Sequence, residues 1–521
     1  MESKSEKSAS IVKHLTLVVM FLTTLPQNTH QQEIVTNSTI IEAHCMFSYD
    51  PQGRYNCYLF NIRTTSPNDV LDLTGTHMIN HTDADVHGVL HIRSMINQFN
   101  GEALRKFPNL RRIDLWGALL QSINPTAFAD CGQLEELNIG ANNQLLELPS
   151  GMLSNCGNFK IFSATSSRFT SIPDDLFGNT RSLEVFNIAI GRLNTFPDNL
   201  LRNMPNLRRF IVRNNQLSSI SPTNFFSATN LEEIDLFFNH INDTQTVMVL
   251  LNGHFGLRRI ILNHNPFNMF NLNFFTQFRN LEELGIGGRT NLTGINWQFL
   301  PSTLQTLRIY SISEEIPENA LVGLTNLTYL DISGYGITTL QHGTFSPLTN
   351  LDRLDIMETQ LTTFHPQTFA SQGKLRALHL SYNQIEELPE GVFAPLVNLG
   401  FNETVHGLFM LGNNLRRLSA NSFGQHPHLN YIYFGYNHIY AIQRGLFSRF
   451  NPQPLLVDFV GNECISRSFF SQENLDEHQW LEYCFNNYEG ITTTTPNAAV
   501  NIFSKFQIFV VIFVGFFCIY L

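Results

Sequence analysis

Eight ring-bearing side chains fall, in the second half of the chain, where the local alternation of apolar and polar residues turns them away from a core: Tyr310, Tyr329, His379, Tyr382, Phe409, Tyr431, Tyr433 and Tyr436. Rings exposed side by side give a large contact area at small entropic cost, which is the chemistry of non-covalent recognition, above all of another protein. The competing reading is that neighbouring rings stack on one another along a sheet. The sequence favours the binding patch.

A second set has the residue types of a metal site: His77, His81, Asp83, Asp85, His87 and His91. Its spacing matches no standard zinc pattern, and alternation places His91 in solvent, so it reads as polar surface with no metal or cofactor. The sequence holds no H-E-x-x-H, no G-x-S-x-G and no phosphate-binding glycine loop. No catalytic residue is assigned, and an extracellular enzyme is the weakest reading of function.

The rings need a frame, and the stretch 375–393, LRALHLSYNQIEELPEGVF, supplies its unit. Leu375, Leu378, Leu380, Asn383 and Ile385 follow the spacing L-x-x-L-x-L-x-x-N-x-L. Leu378 and Leu380 alternate as a short strand does, and Asn383 suits the turn that leaves it. One such unit cannot exclude water alone and needs a copy on each side. The first apolar position recurs at Leu110, Leu134, Phe159, Leu183, Leu207, Leu231, Leu257, Leu281, Leu304, Leu327, Leu351, Leu375, Val405, Leu429 and Pro454, with a weaker first unit centred on Leu90 and Ile92. The pattern resembles the extracellular 24-residue class of leucine-rich repeats found in Toll-like receptors, Slit, chaoptin and connectin. The expected fold is α/β: a leucine-rich repeat solenoid curved as a horseshoe, with a parallel sheet on its concave face and disulfide-closed caps. Many extracellular relatives carry four cysteines in each cap, whereas this chain has one pair at each end.

Columns run through the repeats. Phe128, Phe177, Phe225, Phe275, Phe345, Phe369 and Phe423 should stack as a spine on the convex side. Asn142, Asn215, Asn239, Asn265, Asn383, Asn413, Asn437 and Asn462 form a turn column that is broken at Arg289, Ile312, Tyr335 and Thr359, where local curvature is expected to differ. Arg111, Glu135, Lys160, Glu184, Arg208, Glu232, Arg258 and Glu282 alternate in charge down the concave face, as do Arg112, Glu136, Arg209, Glu233, Arg259 and Glu283. Opposite charges on neighbouring strands support one another, so this half reads as a self-satisfied ladder rather than a ligand site.

Six of the seven cysteines form local pairs: Cys45 with Cys57, Cys464 with Cys484 as end caps, and Cys131 with Cys156 at equivalent positions of adjacent repeats. Such bridges imply an oxidising compartment. Residues 1–28 have the layout of a secretory signal, with Lys4, Lys7 and Lys13 before an apolar run. The remaining boundaries are an N-terminal cap at 29–86, about sixteen repeats at 87–461, a C-terminal cap at 462–488 and a Thr-rich stalk at 489–497. The tail 498–521, with small residues followed by a spacer and an apolar end, reads as a removed glycosylphosphatidylinositol signal with attachment at Asn497. Sequons stand at Asn37, Asn80, Asn242, Asn291, Asn326 and Asn402, the last inside an insertion, GFNETV, at 400–405.

A net charge of −11 and a pI near 5.9 argue against nucleic acid as the partner. Recognition of an extracellular protein, or homophilic adhesion, at the outer face of the plasma membrane is the leading expectation. An innate-immune pattern receptor or co-receptor of the Toll-like sort is the alternative; a single-pass or secreted form is the alternative for location.

Overall fold

A computed structural model describes residues 39–490 apart from 268–270, 293–294, 313–314, 335, 402–405, 451 and 471–473. The chain divides into two units, Met1–Thr39 and Ile40–Leu521, and the solenoid lies in the second. Each turn contributes a very short strand, such as Arg112–Asp114, Glu136–Asn138, Ile161–Ser163 or Val185–Asn187. The middle residues Ile113, Leu137, Phe162 and Phe186 are fully buried while their neighbours face outward, the consequence of a side-chain period of two. Strands pair in parallel and in chain order, with Ile113 opposite Leu137, Leu137 opposite Phe162, and so on to Ile432 opposite Val457. At the ends of the sheet, Ile40–Tyr49 runs antiparallel to Tyr55–Phe60 and Ser468–Phe470 runs antiparallel to Leu456–Asp458.

The chain leaves each strand through a left-handed residue, for example Ala141 (φ 56°), Asn214 (φ 55°), Phe238 (φ 52°) or Tyr382 (φ 58°). The asparagine that follows makes this bend affordable by satisfying its backbone groups. Asn142 donates through Nδ2 to the carbonyls of Leu115 (3.0 Å) and Ile139 (2.8 Å) and accepts from the Leu120 amide (2.9 Å), so its side chain bridges two repeats. Asn215, Asn239, Asn383 and Asn437 repeat the arrangement. At two of the breaks, Arg289 and Ile312, the strands lengthen to Glu283–Leu292 and Thr306–Ile312, paired from Glu283–Thr306 to Gly287–Tyr310 before an irregularity. Backbone pairing there supplies what the carboxamide supplies elsewhere. Thr359 offers a smaller substitute, its hydroxyl bonded to Asn383 and reached by the Leu361 amide. Tyr335 lies outside the described residues.

Three details of the repeat reading are corrected. In the strand Gly88–Ile92 it is Val89 and His91 that point inward, paired with Ile113 and Leu59, while Leu90 and Ile92 face out. Pairing with the cap strand Tyr55–Phe60 sets this register, and a slip of one residue exchanges the two faces. The first apolar position of the inserted repeat is the buried Leu399 rather than Val405, which lies outside the described residues. The Gly400 amide donates to the Arg376 carbonyl at 2.8 Å, just as Arg376 donates to Asp352, so the insertion falls after that point. The phenylalanine spine is therefore continuous through Phe345, Phe369, Phe393 and Phe423, with ring centroids 6.1, 6.2 and 5.3 Å apart. Earlier members are buried against strand residues instead: Phe177 packs on Phe162 and Phe186, and Phe225 on Phe210.

Cys45–Cys57, Cys131–Cys156 and Cys464–Cys484 are disulfides, with Cα atoms 5.0, 4.9 and 5.3 Å apart. The C-terminal cap docks through Asp476, whose carboxylate accepts from the amides of Gly445, Phe447 and Ser448.

Candidate recognition face

The residues on either side of each buried strand centre form the concave face. In its first half, charge answers charge along the sheet. Glu135 sits between Arg111 (2.6 Å) and Lys160 (2.9 Å), Arg208 meets Glu232 (2.9 Å), and Arg209 and Arg259 (3.1 Å) share Glu233. Arg259 and Arg308 in turn clasp Glu283. Burial works to raise the Glu283 carboxyl, but the two guanidiniums hold it below the usual carboxylate range. Most charges of the ladder are therefore paired within it.

From Arg308 onward the face changes character. The Tyr329 ring lies between the guanidiniums of Arg308 (4.8 Å) and Arg353 (5.0 Å), and its hydroxyl donates to Asp355 at 2.6 Å. The Tyr310 hydroxyl donates to Asp331. Both aspartates are buried, at 2% and 1% exposure. Burial, helped by the neighbouring Asp355 charge, pushes Asp331 up to about 6. Burial also works to raise Asp355, but His379 and Arg353 more than offset it. Since burial drives His379 down to about 4, it is neutral at pH 7, and the lasting counter-charge is that of Arg353. Beyond this network His379 stacks on Phe409 with centroids 4.0 Å apart, and Phe409 on Tyr433 at 4.8 Å.

The eight rings are thus not one exposed patch. Tyr310 and His379 are buried, each 9% exposed, and Tyr329 is held between two arginines. Phe409, Tyr431 and Tyr433 remain half-exposed on the strands. Tyr382 and Tyr436 are 45% and 44% exposed, but they occupy the left-handed bends after the strands and form a rim beside the face. An outward position in a parallel sheet is walled by the same position of both neighbours, so pointing outward does not ensure exposure. Sequence reading also missed apolar residues at the other end of the face: Met46 (58% exposed), Phe60 (40%) and Trp116 (38%), beside Leu90 and Ile92. The Cys45–Cys57 bridge, which fixes both inward faces of the cap hairpin, was the signal that could have found them.

The histidine run is occupied by its own contacts. His77 bonds Asp83 (3.0 Å) and the Tyr55 hydroxyl (3.3 Å), and His81 bonds the Tyr49 hydroxyl (2.7 Å). His91, expected in solvent, is buried in the slot that Leu115 fills one repeat on, and burial drives it down to about 3. Among the described residues no three histidine, cysteine, aspartate or glutamate side chains are grouped to hold a metal ion.

Asn80, Asn242 and Asn326 are exposed and off the strands. Asn37, Asn402 and Asn497, the Asn291 side chain, and the whole of 1–38 and 491–521 lie outside the described residues. Among those described, no helix is long and apolar enough to cross a membrane.

The family profile described as "Leucine rich repeat" matches residues 325–385 and 349–401, and that described as "BspA type Leucine rich repeat region (6 copies)" matches 89–160 and 121–248. Osteomodulin of Bos taurus is 23% identical over 290 residues, 55% of this chain and 53% of that protein, so the match spans about half of the relative. Among solved structures, a leucine-rich repeat protein of Leptospira interrogans is 20% identical, with 65% of this chain and 79% of that one covered and a TM-score of 0.49. A chain of the glycosylated Toll–Spatzle complex of Drosophila is 18% identical, with 76% and 55% covered and a TM-score of 0.49. With its repeated short strands, asparagine turns and matching profiles, the chain is a leucine-rich repeat solenoid, of the kind used in recognition, receptor and adhesion roles.

Proposed function

We propose that the protein is a cell-surface recognition or adhesion molecule that binds an extracellular protein through its concave face. The observation that carries this reading is the half-exposed row Phe409, Tyr431 and Tyr433, set on strands and backed by the stacked His379. Rings fixed by their neighbours lose little entropy when a partner covers them. The three disulfides fit an oxidising compartment, and the exposed sequons Asn80, Asn242 and Asn326 lie off the strands.

A screen of the full-length protein, displayed on cells, against a library of extracellular proteins tests the reading. The expected ligand loses at least tenfold in affinity with the double substitution Phe409→Ala, Tyr433→Ala. Undiminished binding by that variant sinks the concave-face assignment, and binding confined to microbial products would favour the pattern-receptor alternative. A lipid anchor at Asn497 is part of the proposal, and release of the displayed protein by phosphatidylinositol-specific phospholipase C checks it.

A further inference from the structure

Two rings on the rim stand in the same unusual setting. Tyr382 and Tyr436 both have positive φ, 58° and 53°, at the left-handed bend that ends each strand. Each ring lies against a glycine at the equivalent position of the next repeat. A Cβ on Gly412 would meet Tyr382 Cδ1 at 2.8 Å and Cε1 at 3.1 Å, and one on Gly461 would meet Tyr436 Cδ1 at 2.9 Å and Cε1 at 3.3 Å. The backbone match is equally close, because the Tyr382 amide donates to the Leu411 carbonyl and the Tyr436 amide to the Val460 carbonyl, both at 2.6 Å. Each tyrosine therefore rests on a glycine floor, with nearly half of its surface left to solvent.

The same bend carries other large exposed side chains, Leu119, Ile190 and Phe238, so the left-handed backbone alone does not single out the two tyrosines. What sets them apart from those three is the glycine against each ring, which leaves the ring as an open platform on the rim. The spacing says what kind of ligand suits them. Because the intervening repeat carries Gly412, the two platforms are two strand spacings apart, about 10 Å along the solenoid. Two residues beyond each bend runs a polar row in successive repeats: Gln360, Gln384, Asn414 and His438, of which Gln360, Gln384 and His438 are exposed and Asn414 half-exposed.

We infer that this rim binds a β-1,4-linked pyranose chain lying along the solenoid axis. A pyranose ring has an apolar C–H face that stacks on an aromatic ring, and its hydroxyl or acetamido groups pair with side-chain amides, which both donate and accept. In a β-1,4 chain successive sugars are turned over, so every second ring presents the same face. Platforms two strand spacings apart fit that alternation, with one sugar bridging between the two rings. The site is separate from the concave row Phe409–Tyr433 and stands whether or not that row binds protein.

The test is calorimetric titration of the purified full-length protein with cellohexaose and with chitohexaose. At least one is expected to bind, the first pointing to hydroxyl recognition and the second to the acetamido group. Tyr382→Ala and Tyr436→Ala should each weaken binding at least tenfold with an unchanged thermal midpoint. Tyr382→Phe should retain it, and Phe409→Ala with Tyr433→Ala should leave it untouched. If an alanine variant fails to fold, Gln384→Ala on the polar row takes its place, with a severalfold loss expected. The inference is overturned if neither hexasaccharide binds at millimolar concentration, if folded rim variants bind like the parent, or if the rim substitutions abolish only binding of a protein.

Discussion

The two halves of the concave face are built on one register and behave differently. Between Arg111 and Glu283 the outward columns alternate in sign, and many of the pairs stay wet: the Arg208 and Arg258 side chains are 52% and 56% exposed. From Arg308 to Tyr433 the same columns carry tyrosines, arginines and aspartates that cover one another, leaving the Asp355 side chain 1% exposed. Exposed first-half pairs such as Arg208–Glu232 and Arg258–Glu282 add little to the core, although Glu233, 6% exposed between Arg209 and Arg259, is already packed. In the second half the charges are part of the packing.

Several substitutions would break or sharpen that contrast. Leu330→Asp should have the largest effect and abolish secretion of protease-resistant protein. Leu330 is fully buried between Leu307 and Leu354, and an unpaired carboxylate there is expected to destabilise by more than about 4 kcal/mol. Secretion at normal yield would show the inward register to be wrong. Arg353→Ala comes next, at about 3–5 kcal/mol by chemical denaturation, because it strands a buried Asp355 charge. Asn239→Ala removes the acceptor of the Leu217 amide and donors to two repeats, a loss of about 2 kcal/mol, against about 1 kcal/mol for Thr359→Ala where the column is broken. Equal losses would mean that the Thr359 hydroxyl holds its bend as firmly as an asparagine does. Arg208→Ala should move the midpoint least, within experimental error. A shift as large as that of Arg353→Ala would erase the distinction between the halves.

The solenoid was legible because its signal is repeated: turn after turn has an inward apolar residue at the same place and the same bend, and many have the same asparagine. Errors came where a turn had no such signal. The strand Gly88–Ile92 offers Val89, Leu90 and Ile92 as core candidates, and only its pairing with the cap hairpin puts His91 inside. Phe393 was lost from the spine because the insertion made Val405 look like the start of its repeat. The disulfide Cys131–Cys156 could be read from equivalent positions in adjacent turns, since stacking alone brings them together. Exposure of the rings could not be read in this way. Whether Tyr310 or Phe409 meets solvent depends on the size of residues one turn to either side, and alternation within a strand carries no information about that.

The Cys131–Cys156 bond has a mechanical consequence. A stacked solenoid held at one end and pulled at the other can peel one turn at a time, each turn lengthening the tether as its neighbours hold. The bond spans a sequence separation of 25, so the loop it closes carries no load until the sulfurs are reduced. At roughly 3.5 Å per extended residue, some 80 Å of slack stays locked in the early repeats. Under tension the early repeats would be shorter and stiffer than the repeats between the Cys131–Cys156 and Cys464–Cys484 bridges, and a reducing agent would act on them as a release catch.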